Sequence, residues 1–380
     1  LISKHMQTAL DAASGAVFIT SPNPRVGCLL VSANGVVIGI GSTQRAGGPH
    51  AEVMALRDAA ANGHSTIGAT AYVTLEPCSH HGRTGPCCDA LINAGIAKVV
   101  AAIADPNPLV AGNGFARLRA AGVEVEVCGP DDGGNASRAL NMGFFSRMVR
   151  KLPWVRLKAA MSLDGATALG NGASQWITGE AARADGHYWR ARSCAILTGV
   201  GTVLADDPAM DVRFIETSRQ PRLVVVDSQL RTPPSSRIFA ADRQVLIYCA
   251  SADSGRQKAL EAVGALVIAM PEAHALSTRS ADTAHARVDL LAMMFDLARR
   301  EVNELHVEAG GTLNGALLAA DLVDECVLYI APMLLGQGQG AFSGMHLSQL
   351  DGAPRLDIGE VFQVGSDIRV VAQVQGHANF

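Results

Sequence analysis

Short apolar runs typical of β-strands alternate with segments typical of α-helices along most of the chain, and this order stops at Lys151-Leu152-Pro153 and then restarts. Alternating strands and helices predict helices packed on a sheet, the layered arrangement of α/β proteins. The chain has 380 residues, more than the roughly 250–300 that one hydrophobic core supports. The sequence therefore predicts two α/β domains, residues 1–150 and 151–380.

Periodicity and turn residues place the elements of both domains. In the first domain, Asn34-Gly35 predicts a hairpin between two strands. The other predicted elements there are helices over 6–13, 51–61, 87–94, 112–121 and 135–148, and strands over 70–75, 97–103 and 123–127. In the second domain, strands are predicted over 154–162, 194–199, 222–228, 244–250, 265–270, 304–310 and 325–332, with a late antiparallel strand over 368–374 and a loop over 273–287.

Composition disfavours several functional classes. The formal net charge is −4 and only 4% of the residues are aromatic, so the chain has neither the basic surface nor the stacking residues that nucleic-acid binding uses. No apolar run reaches the ~18–20 residues of a membrane helix, and no signal-peptide pattern begins the chain. We therefore expect a cytoplasmic protein whose partners are small molecules, with no nucleic acid and no membrane.

Two short motifs 26 residues apart predict a zinc site. His50 and Glu52 open a predicted helix after a proline, and Cys78 and Cys87 flank the downstream loop. Catalytic zinc takes three protein ligands and leaves a fourth position open for water, with an acid/base nearby. His-x-Glu with a downstream Pro-Cys is the pattern of zinc deaminases. In that pattern the two cysteines are three positions apart, whereas Cys78 and Cys87 are nine apart.

Two alternatives stay open for this loop. A purely structural zinc site would need a fourth protein ligand and would leave Glu52 without a role. Cys88 could replace Cys87 as a ligand, since both lie at the start of a predicted helix. In a reducing compartment a disulfide is disfavoured, and the five other cysteines lie alone in apolar runs as small hydrophobic residues.

In the second domain, polar side chains follow several predicted strands, where open α/β sheets bind ligands. They are Ser162, Asp164, Thr202, Asp206, Asp227, Ser228 and Glu308. Gly310-Gly311-Thr312 precedes a helix, an arrangement that lets backbone amides face a phosphate. The chain has no G-x-G-x-x-G after the first strand of this domain, so the pattern indicates an anion or nucleotide site without the ordinary dinucleotide fingerprint.

Longer motifs resemble one known family. "SPNPRVGCLLV", "PHAEVMAL", "TAYVTLEPCSHHGRTGPCCDALI" and "VAAIADPNPLVAGNG" resemble the deaminase half of the bifunctional riboflavin-biosynthesis enzymes, which carry the long Cys-to-Cys insert. "LKAAMSLDGATA", "SQWITG", "GVGTVLADDPAMDVR", "VVVDSQLRTP" and "VEAGGTLNGALL" resemble the reductase half. The resemblance implies an N-terminal cytidine-deaminase-like α/β/α zinc domain and a C-terminal dihydrofolate-reductase-like α/β domain.

The resemblance also implies roles for residues of the first domain. His50, Cys78 and Cys87 would bind Zn²⁺, and Glu52 would be the catalytic proton shuttle. Asn23, His80 and Arg83 would hold the substrate. Gly85 stands where the family pattern leads us to expect a second proline, a departure that concerns the rigidity of the insert and not the ligands.

For the second domain the resemblance implies contacts to NADPH and to substrate. The residues that would contact NADPH are Ala160, Trp176, Thr202, Asp206, Ser228, Gly310, Gly311, Thr312, Leu313, Asn314, Gly315 and Ala316. The residues that would contact substrate are Ser174, Arg190, Met210, Arg213 and Glu308. Of these, Arg190 and Arg213 are candidate partners for a phosphate, and Lys158, Asp164 and Asp227 are further pocket candidates.

The implied function is a pair of successive reactions in riboflavin biosynthesis. Zinc-dependent hydrolysis would deaminate 2,5-diamino-6-(5-phosphoribosylamino)pyrimidin-4-one, and NADPH would then reduce the ribosyl side chain of the uracil product to ribityl. A homo-oligomer, dimer or larger, is expected. The alternatives are a nucleic-acid base deaminase fused to another domain, a protein that keeps one of the two activities, and a zinc-binding scaffold without activity.

Overall fold

The structure of the chain is a computed structural model, and it describes residues 1–79, 85–108, 110–251, 253–272 and 286–380. The chain divides into two compact units, Leu1–Arg150 and Lys151–Phe380. Both units mix helices with sheet, so the prediction of α/β folding is confirmed. Among the described residues, no helix is long and apolar enough to span a membrane.

In the first unit, helices pack on a five-stranded sheet of order β2-β1-β3-β4-β5. Strand β1 runs antiparallel to its neighbours β2 and β3, and β4 and β5 run parallel to β3. The predicted hairpin turn is present, with Gly35 at φ 79°. The elements are α1 (Lys4–Gly15), β1 (Gly27–Val31), β2 (Val37–Ser42), α2 (Ala51–Ala61), β3 (Thr70–Val73), α3 (Cys87–Asn93), β4 (Lys98–Ala101), α4 (Asn113–Ala120), β5 (Glu124–Val127), α5 (Gly134–Leu140) and α6 (Met142–Val149).

Two glycines of β2 set the position of α2, the helix that carries His50 and Glu52 at its start. A Cβ at Gly39 or Gly41 would collide with the backbone of α2 at Ala55 or Ala51. The helix backbone therefore lies directly against the strand, at a distance that only glycine permits. This close packing holds the first turn of α2 over the sheet.

The single last helix predicted over 135–148 is wrong, because the structure has two helices that meet at Asn141. Asn141 is buried, and its side chain accepts a hydrogen bond from the Arg25 amide at 2.7 Å and donates one to the Arg25 carbonyl at 2.9 Å. An asparagine that pairs with a distant backbone in this way interrupts its own helix. The periodicity of the sequence gives no sign of this contact between Asn141 and Arg25.

In the described part of the second unit, nine strands form one sheet of order β11-β10-β9-β8-β12-β6-β13-β16-β15. Strands β6 and β8 to β13 run parallel, and β16 and β15 add antiparallel at one edge. The strands are β6 (Trp154–Ser162), β7 (Ala166–Ala168), β8 (Ala195–Gly199), β9 (Arg222–Val226), β10 (Val245–Cys249), β11 (Ala265–Ala269), β12 (Glu304–Val307), β13 (Glu325–Ala331), β14 (Gln339–Gly340), β15 (Leu356–Val364) and β16 (Asp367–Val374). The helices are α7 (Glu180–Arg192), α8 (Val200–Asp206), α9 (Ser254–Ala262), α10 (Leu290–Arg299) and α11 (Gly311–Ala319).

The predicted strands of this unit are present, including the late antiparallel strand β16. Strand β15 was not predicted from the sequence. Its residues are almost all exposed, and their alternation of apolar and polar residues is interrupted near the bulge between Ile358 and Glu360. The small β7–β14 pair was not predicted either. The loop predicted over 273–287 lies mostly outside the described residues.

The two ends of the parallel strands differ in chemistry. At the amino ends, Arg156 is buried and pairs with Glu304 at 3.0 Å and with Glu325 at 2.8 Å. Breaking a buried pair of this kind costs several kcal/mol, because it leaves an uncompensated charge. These ion pairs hold β6, β12 and β13 together at their amino ends. The polar residues at the carboxyl ends of the strands remain available to bind ligands.

Candidate metal and cofactor sites

The first site is built where α2, the segment after β3 and α3 meet. His50 is the N-cap of α2, Cys78 follows β3 by five residues, and Cys87 is the first residue of α3. The Nδ1 atom of His50 lies 3.3 Å from Cys87 Sγ and 3.6 Å from Cys78 Sγ. All three candidate ligand atoms lie within 4.8 Å of one another, a spacing that a single tetrahedral ion can bridge.

The electrostatics of this cluster favour a thiolate at Cys78. A hydrogen bond with the Cys87 thiol, and further hydrogen bonds from His50 and the Cys87 amide, outweigh burial and lower the pKa of Cys78 to about 4. The Cys87 amide lies 3.4 Å from Cys78 Sγ, at the start of a helix where negative charge is stabilised. The hydrogen bond with Cys78 in turn raises the pKa of His50.

The structure separates the two adjacent cysteines at the start of α3. The Cys88 thiol donates to the Pro77 carbonyl at 3.2 Å and contacts the Gly114 carbonyl at 3.5 Å. Cys87 faces His50 instead. The metal-ligating atoms found together among the described residues are those of His50, Cys78 and Cys87.

Glu52 completes the site. It lies in the first turn of α2 and is only 2% exposed, and its Oε2 atom has no hydrogen-bond partner among the described residues. Burial, together with the negative charge of Cys78, raises the pKa of Glu52. A buried carboxylate oxygen without a partner, beside two sulfur ligands and one nitrogen ligand, fits a zinc ion with a water as fourth ligand.

Glu76 is a supporting residue that was not predicted from the sequence. Its carboxylate is 3% exposed and accepts four backbone hydrogen bonds, two of them from Gly112 at 3.0 Å and Gly114 at 2.9 Å. It therefore ties the loop before α4 to the strand end that leads to Cys78. An acidic residue directly after a buried strand, in "LEPC", was the available signal.

Three residues assigned to substrate in the first unit remain predictions. His80 and Arg83 lie outside the described residues. Asn23 stands in the loop before β1, and its backbone amide donates to the Thr20 carbonyl at 2.9 Å.

In the second unit, Arg190 of α7 and Glu308 after β12 form a bidentate ion pair. Nε lies 2.5 Å from Oε1 and Nη2 lies 2.8 Å from Oε2. Burial opposes ionisation of Glu308, but the charge and hydrogen bonds of Arg190 outweigh it and hold the pKa of Glu308 well below its ordinary value. A pair of this geometry is strong and directional. Arg190, one of the two arginines predicted to bind a phosphate, is therefore already engaged with Glu308.

The other predicted substrate residues differ in their contacts with the Arg190–Glu308 pair. Met210 Sδ lies 3.8 Å from Arg190 Nη2, so the structure brings these two together. The Arg213 side chain is half exposed and pairs with Asp211 at 2.7 Å, which leaves most of its donors open. Its backbone amide donates to Nδ1 of His187 at 2.9 Å. Ser174 lies in the loop before α7, and no contact joins it to the pair among the described residues.

Lys158 lies on β6 near the same pair. Its Nζ is 5.8 Å from the centre of the Tyr329 ring. Burial lowers the pKa of Lys158, opposed by the negative charge of Glu308. Asp164 and Asp227 instead hold local backbone: Asp164 accepts from the amides of Leu335 and Gly336, and Asp227 accepts from Thr232.

The residues assigned to NADPH lie on neighbouring strands of one sheet edge. Ala160 is on β6, Thr202 and Asp206 are on α8 after β8, Ser228 follows β9, and Gly310 to Ala316 follow β12. Trp176, in the loop before α7, is exposed, and the Arg183 guanidinium lies 4.5 Å from the centre of its ring.

The start of α11 fits the phosphates of a dinucleotide. Gly310 is its N-cap and supplies no side-chain cap, and nothing lies within 4 Å of the position that a Cβ would take there. Open amides at a helix N-terminus attract phosphate. Asn314 on the same helix is buried, with its Oδ1 unpartnered among the described residues.

Comparison with known families gives two matches. The family model described as "RibD C-terminal domain" matches residues 153–370. The model described as "Cytidine and deoxycytidylate deaminase zinc-binding region" matches residues 1–103. The two matches fall in the two compact units.

Whole-chain relatives cover both units together. Riboflavin biosynthesis protein RibD of Escherichia coli is 45% identical over 96% of this chain and 97% of its own, and that of Haemophilus influenzae is 42% identical over 98% and 97%. The solved structure of Acinetobacter baumannii RibD has a TM-score of 0.85 at 37% identity and covers 98% of each chain. A Thermotoga maritima structure, described as a diaminohydroxyphosphoribosylaminopyrimidine deaminase/5-amino-6-(5-phosphoribosylamino)uracil reductase, has a TM-score of 0.82 at 30% identity and covers 97% of each.

Proposed function

The chain belongs to the RibD family of bifunctional deaminases and reductases of riboflavin biosynthesis, and on that premise we propose that residues 1–150 deaminate the pyrimidine and residues 151–380 reduce its ribose. The cofactors are Zn²⁺ and NADPH. The observation that carries the proposal is the convergence of His50, Cys78 and Cys87 beside the buried Glu52.

In the deaminase unit, His50, Cys78 and Cys87 would hold the metal. Zinc, when bound, supplies a Lewis acid that lowers the pKa of a coordinated water toward about 7. Glu52 takes a proton from the attacking water and passes it to the exocyclic amine. A carbon–oxygen bond forms, the carbon–nitrogen bond breaks, and the products are the uracil ribotide and ammonia. Glu52 is buried beside the three ligands with one carboxylate oxygen unpartnered among the described residues, a position that suits a group that must both accept and release a proton.

In the reductase unit, the open-chain imine of the ribosylamine is the group reduced. NADPH, when bound, supplies a hydride to C1′ of the ribose. The ring-side nitrogen of the imine also needs a proton, and we assign its donation to Lys158, whose pKa is lowered by burial. Glu308, held by Arg190, orients the substrate. Arg213 is the cation left with open donors for the substrate phosphate.

The test couples the two units. The diaminopyrimidine ribotide is added to purified protein with NADPH, and absorbance at the NADPH band is followed. Oxidation is expected only after deamination, so one trace requires both activities. Absence of oxidation with this substrate, and also with the separately prepared uracil ribotide, would contradict the assignment of the second unit.

We also propose that the protein is a cytoplasmic homo-oligomer. All eight cysteines are free thiols, as expected in a reducing compartment.

Strand β15 is an exposed sheet edge that presents Ile358, Val361 and Phe362 to solvent, and such edges pair readily with another chain. Sedimentation velocity is expected to give a dimer that Phe362→Glu weakens and Leu350→Glu, an exposed control off the edge, leaves intact. A monomeric wild-type protein would refute it.

A further inference from the structure

The segment 209–214 carries two of the residues predicted to contact substrate, Met210 and Arg213. Met210 and Phe214 have positive φ angles, 52° and 64°, in the left-handed region that residues with side chains rarely adopt. Backbone in this conformation persists where the surrounding structure holds it. The contacts of the segment therefore decide where the Arg213 side chain is placed.

Side chains from outside the segment bind the backbone in its first part. Arg243 donates to the carbonyls of Ala209 and Met210. Gln220 accepts from the Val212 amide at 2.7 Å and donates to the Val212 carbonyl at 3.1 Å. These hydrogen bonds fix the main chain up to residue 212.

The next residue, Arg213, is held by His187 of α7. His187 is 4% exposed, and its Nδ1 atom accepts from the Arg213 amide at 2.9 Å. The edge of one ring meets the face of the other between His187 and Phe214, with ring centres 5.1 Å apart. One buried side chain thus contacts both residues at the end of the segment. No role assigned above belongs to His187.

The contact with the Arg213 amide sets the protonation state of the His187 ring. A backbone N–H can only donate, so Nδ1 presents its lone pair and the neutral ring carries its proton on Nε2. Burial, followed by the positive charges of Arg190 and Arg213, lowers the pKa of His187 to about 4. The negative charges of Glu308 and Asp211 oppose this shift without reversing it. The acceptor is therefore present at neutral pH.

The Arg213 side chain starts from this fixed main chain. Its Nη1 atom donates to Asp211 Oδ1 at 2.7 Å, and the guanidinium group is half exposed. A binding group that is already held in place loses less conformational freedom when its ligand arrives, and it binds the ligand more tightly. The affinity of Arg213 for a phosphate should therefore depend on the residue that anchors its backbone.

We propose that His187 is a positioning residue of the reductase: it fixes the main chain at Arg213 and thereby prepares the guanidinium group for the phosphate of the uracil ribotide. The inference rests on the phosphate role proposed above for Arg213. Gln220 supports the preceding residue. Because His187 acts through Arg213, it affects the binding of a phosphorylated substrate and not the transfer of hydride.

The first test compares variants of His187 in the reduction of the uracil ribotide. His187→Leu removes the acceptor, so the KM for the ribotide is expected to rise about tenfold, as for the loss of one hydrogen bond, with kcat unchanged. His187→Asn keeps an acceptor oxygen close to the Nδ1 position and is expected to restore most of the wild-type KM. The same substrate without its phosphate should give one KM with all three proteins.

Binding without turnover gives a second readout. Titration calorimetry with D-ribose 5-phosphate is expected to show affinity about tenfold weaker for His187→Leu than for the wild type, and near the wild-type value for His187→Asn. Thermal unfolding checks the fold of each variant. His187→Gln, whose amide lies one bond further from the main chain, replaces His187→Leu if the leucine variant does not fold.

A double-variant cycle tests whether His187 acts through Arg213. Arg213→Gln is expected to raise the KM for the ribotide at least as much as His187→Leu does. Addition of His187→Leu to Arg213→Gln is expected to raise the KM no further, because the positioned group is already absent. A further rise of about tenfold in the double variant would show that His187 acts on another group and would overturn the proposal.

The remaining outcomes separate this inference from the proposed function. The role of His187 would be overturned by an unchanged KM in His187→Leu, by an equal rise for the substrate without its phosphate, or by His187→Asn behaving as the leucine variant does. In each case a raised KM in Arg213→Gln still upholds the phosphate assignment. A wild-type KM for the ribotide in Arg213→Gln would overturn that assignment and the role of His187 with it.

Discussion

At the scale of single residues, Cys87 and Cys88 differ only in the direction in which their side chains point. Successive residues of a helix point about 100° apart, so one of two adjacent thiols at the start of α3 faces His50 and the other faces the Pro77 carbonyl. Both are buried. Their chemistry therefore depends on the neighbours that the helix start assigns to each.

This difference predicts opposite results for a matched pair of variants. Cys87→Ser is expected to reduce bound zinc well below one ion per chain, because it removes one of three protein ligands. Cys88→Ser is expected to keep zinc and to lose only a weak hydrogen bond. Zinc content by mass spectrometry of metals checks both. A Cys88→Ser protein that lacks zinc while Cys87→Ser retains it would reverse the ligand assignment.

Glu52 is expected to act in the reaction and not in holding the metal. Glu52→Gln keeps the volume and removes the proton acceptor, so deamination should fall by about 10²–10⁴-fold while zinc stays bound. Ammonia release and zinc content are measured on the same preparation. The uracil ribotide should still be reduced by this variant. Ammonia release near the wild-type rate would remove Glu52 from the mechanism.

At the scale of elements, the C-terminal segment after β16 is held by charge. His377 lies between Asp324 and Asp321, at 2.9 and 3.1 Å. The hydrogen bond with Asp324 raises the pKa of His377 above its ordinary value, against partial burial. Because the folded state binds the proton more tightly, this contribution to stability is complete below the unfolded-state pKa of 6.5 and is lost as pH rises through the folded-state pKa.

Replacement of His377 is therefore expected to lower the free energy of unfolding at acidic pH and to have little effect on it at alkaline pH. His377→Gln is expected to lower the free energy of unfolding by about 0.5–1 kcal/mol near pH 5.5 and by little near pH 9. Urea unfolding followed by tryptophan fluorescence reports on the second unit, because all three tryptophans lie there. A loss of equal size at both pH values would show that the effect is packing and not charge.

At the scale of the whole molecule, each unit has its own sheet and its own set of candidate site residues. The zinc ligands belong to residues 50–87 and the cofactor candidates to residues 160–316. No ligand assigned to one site is contributed by the other unit. Loss of one cofactor should therefore leave the second reaction intact.

Removal of zinc tests this independence. Treatment with a strong chelator is expected to abolish ammonia release from the diaminopyrimidine ribotide and to leave NADPH oxidation with the uracil ribotide unchanged. Re-addition of Zn²⁺ should restore the first activity. A parallel fall of both rates would show that the metal also maintains the reductase unit.

The features that depend on local pattern could be predicted from the sequence. Strand–helix alternation and the break at Lys151-Leu152-Pro153 predicted two α/β units, and the hairpin at Asn34-Gly35 followed from the φ > 0 preference of glycine. His50 and Glu52 share one helix turn, so their proximity needs only helix geometry. The motifs alone carried the family resemblance, and with it the two reactions.

The contacts between residues far apart in the chain became known from the folded structure. Arg190 and Glu308 are 118 residues apart in sequence. Of the two arginines predicted to bind the phosphate, their pairing leaves Arg213 with open donors. The break at Asn141 depends on Arg25, and the amides that Glu76 binds lie beyond the next strand. Periodicity describes neighbours along the chain, whereas these contacts arise when packed layers bring separate elements together.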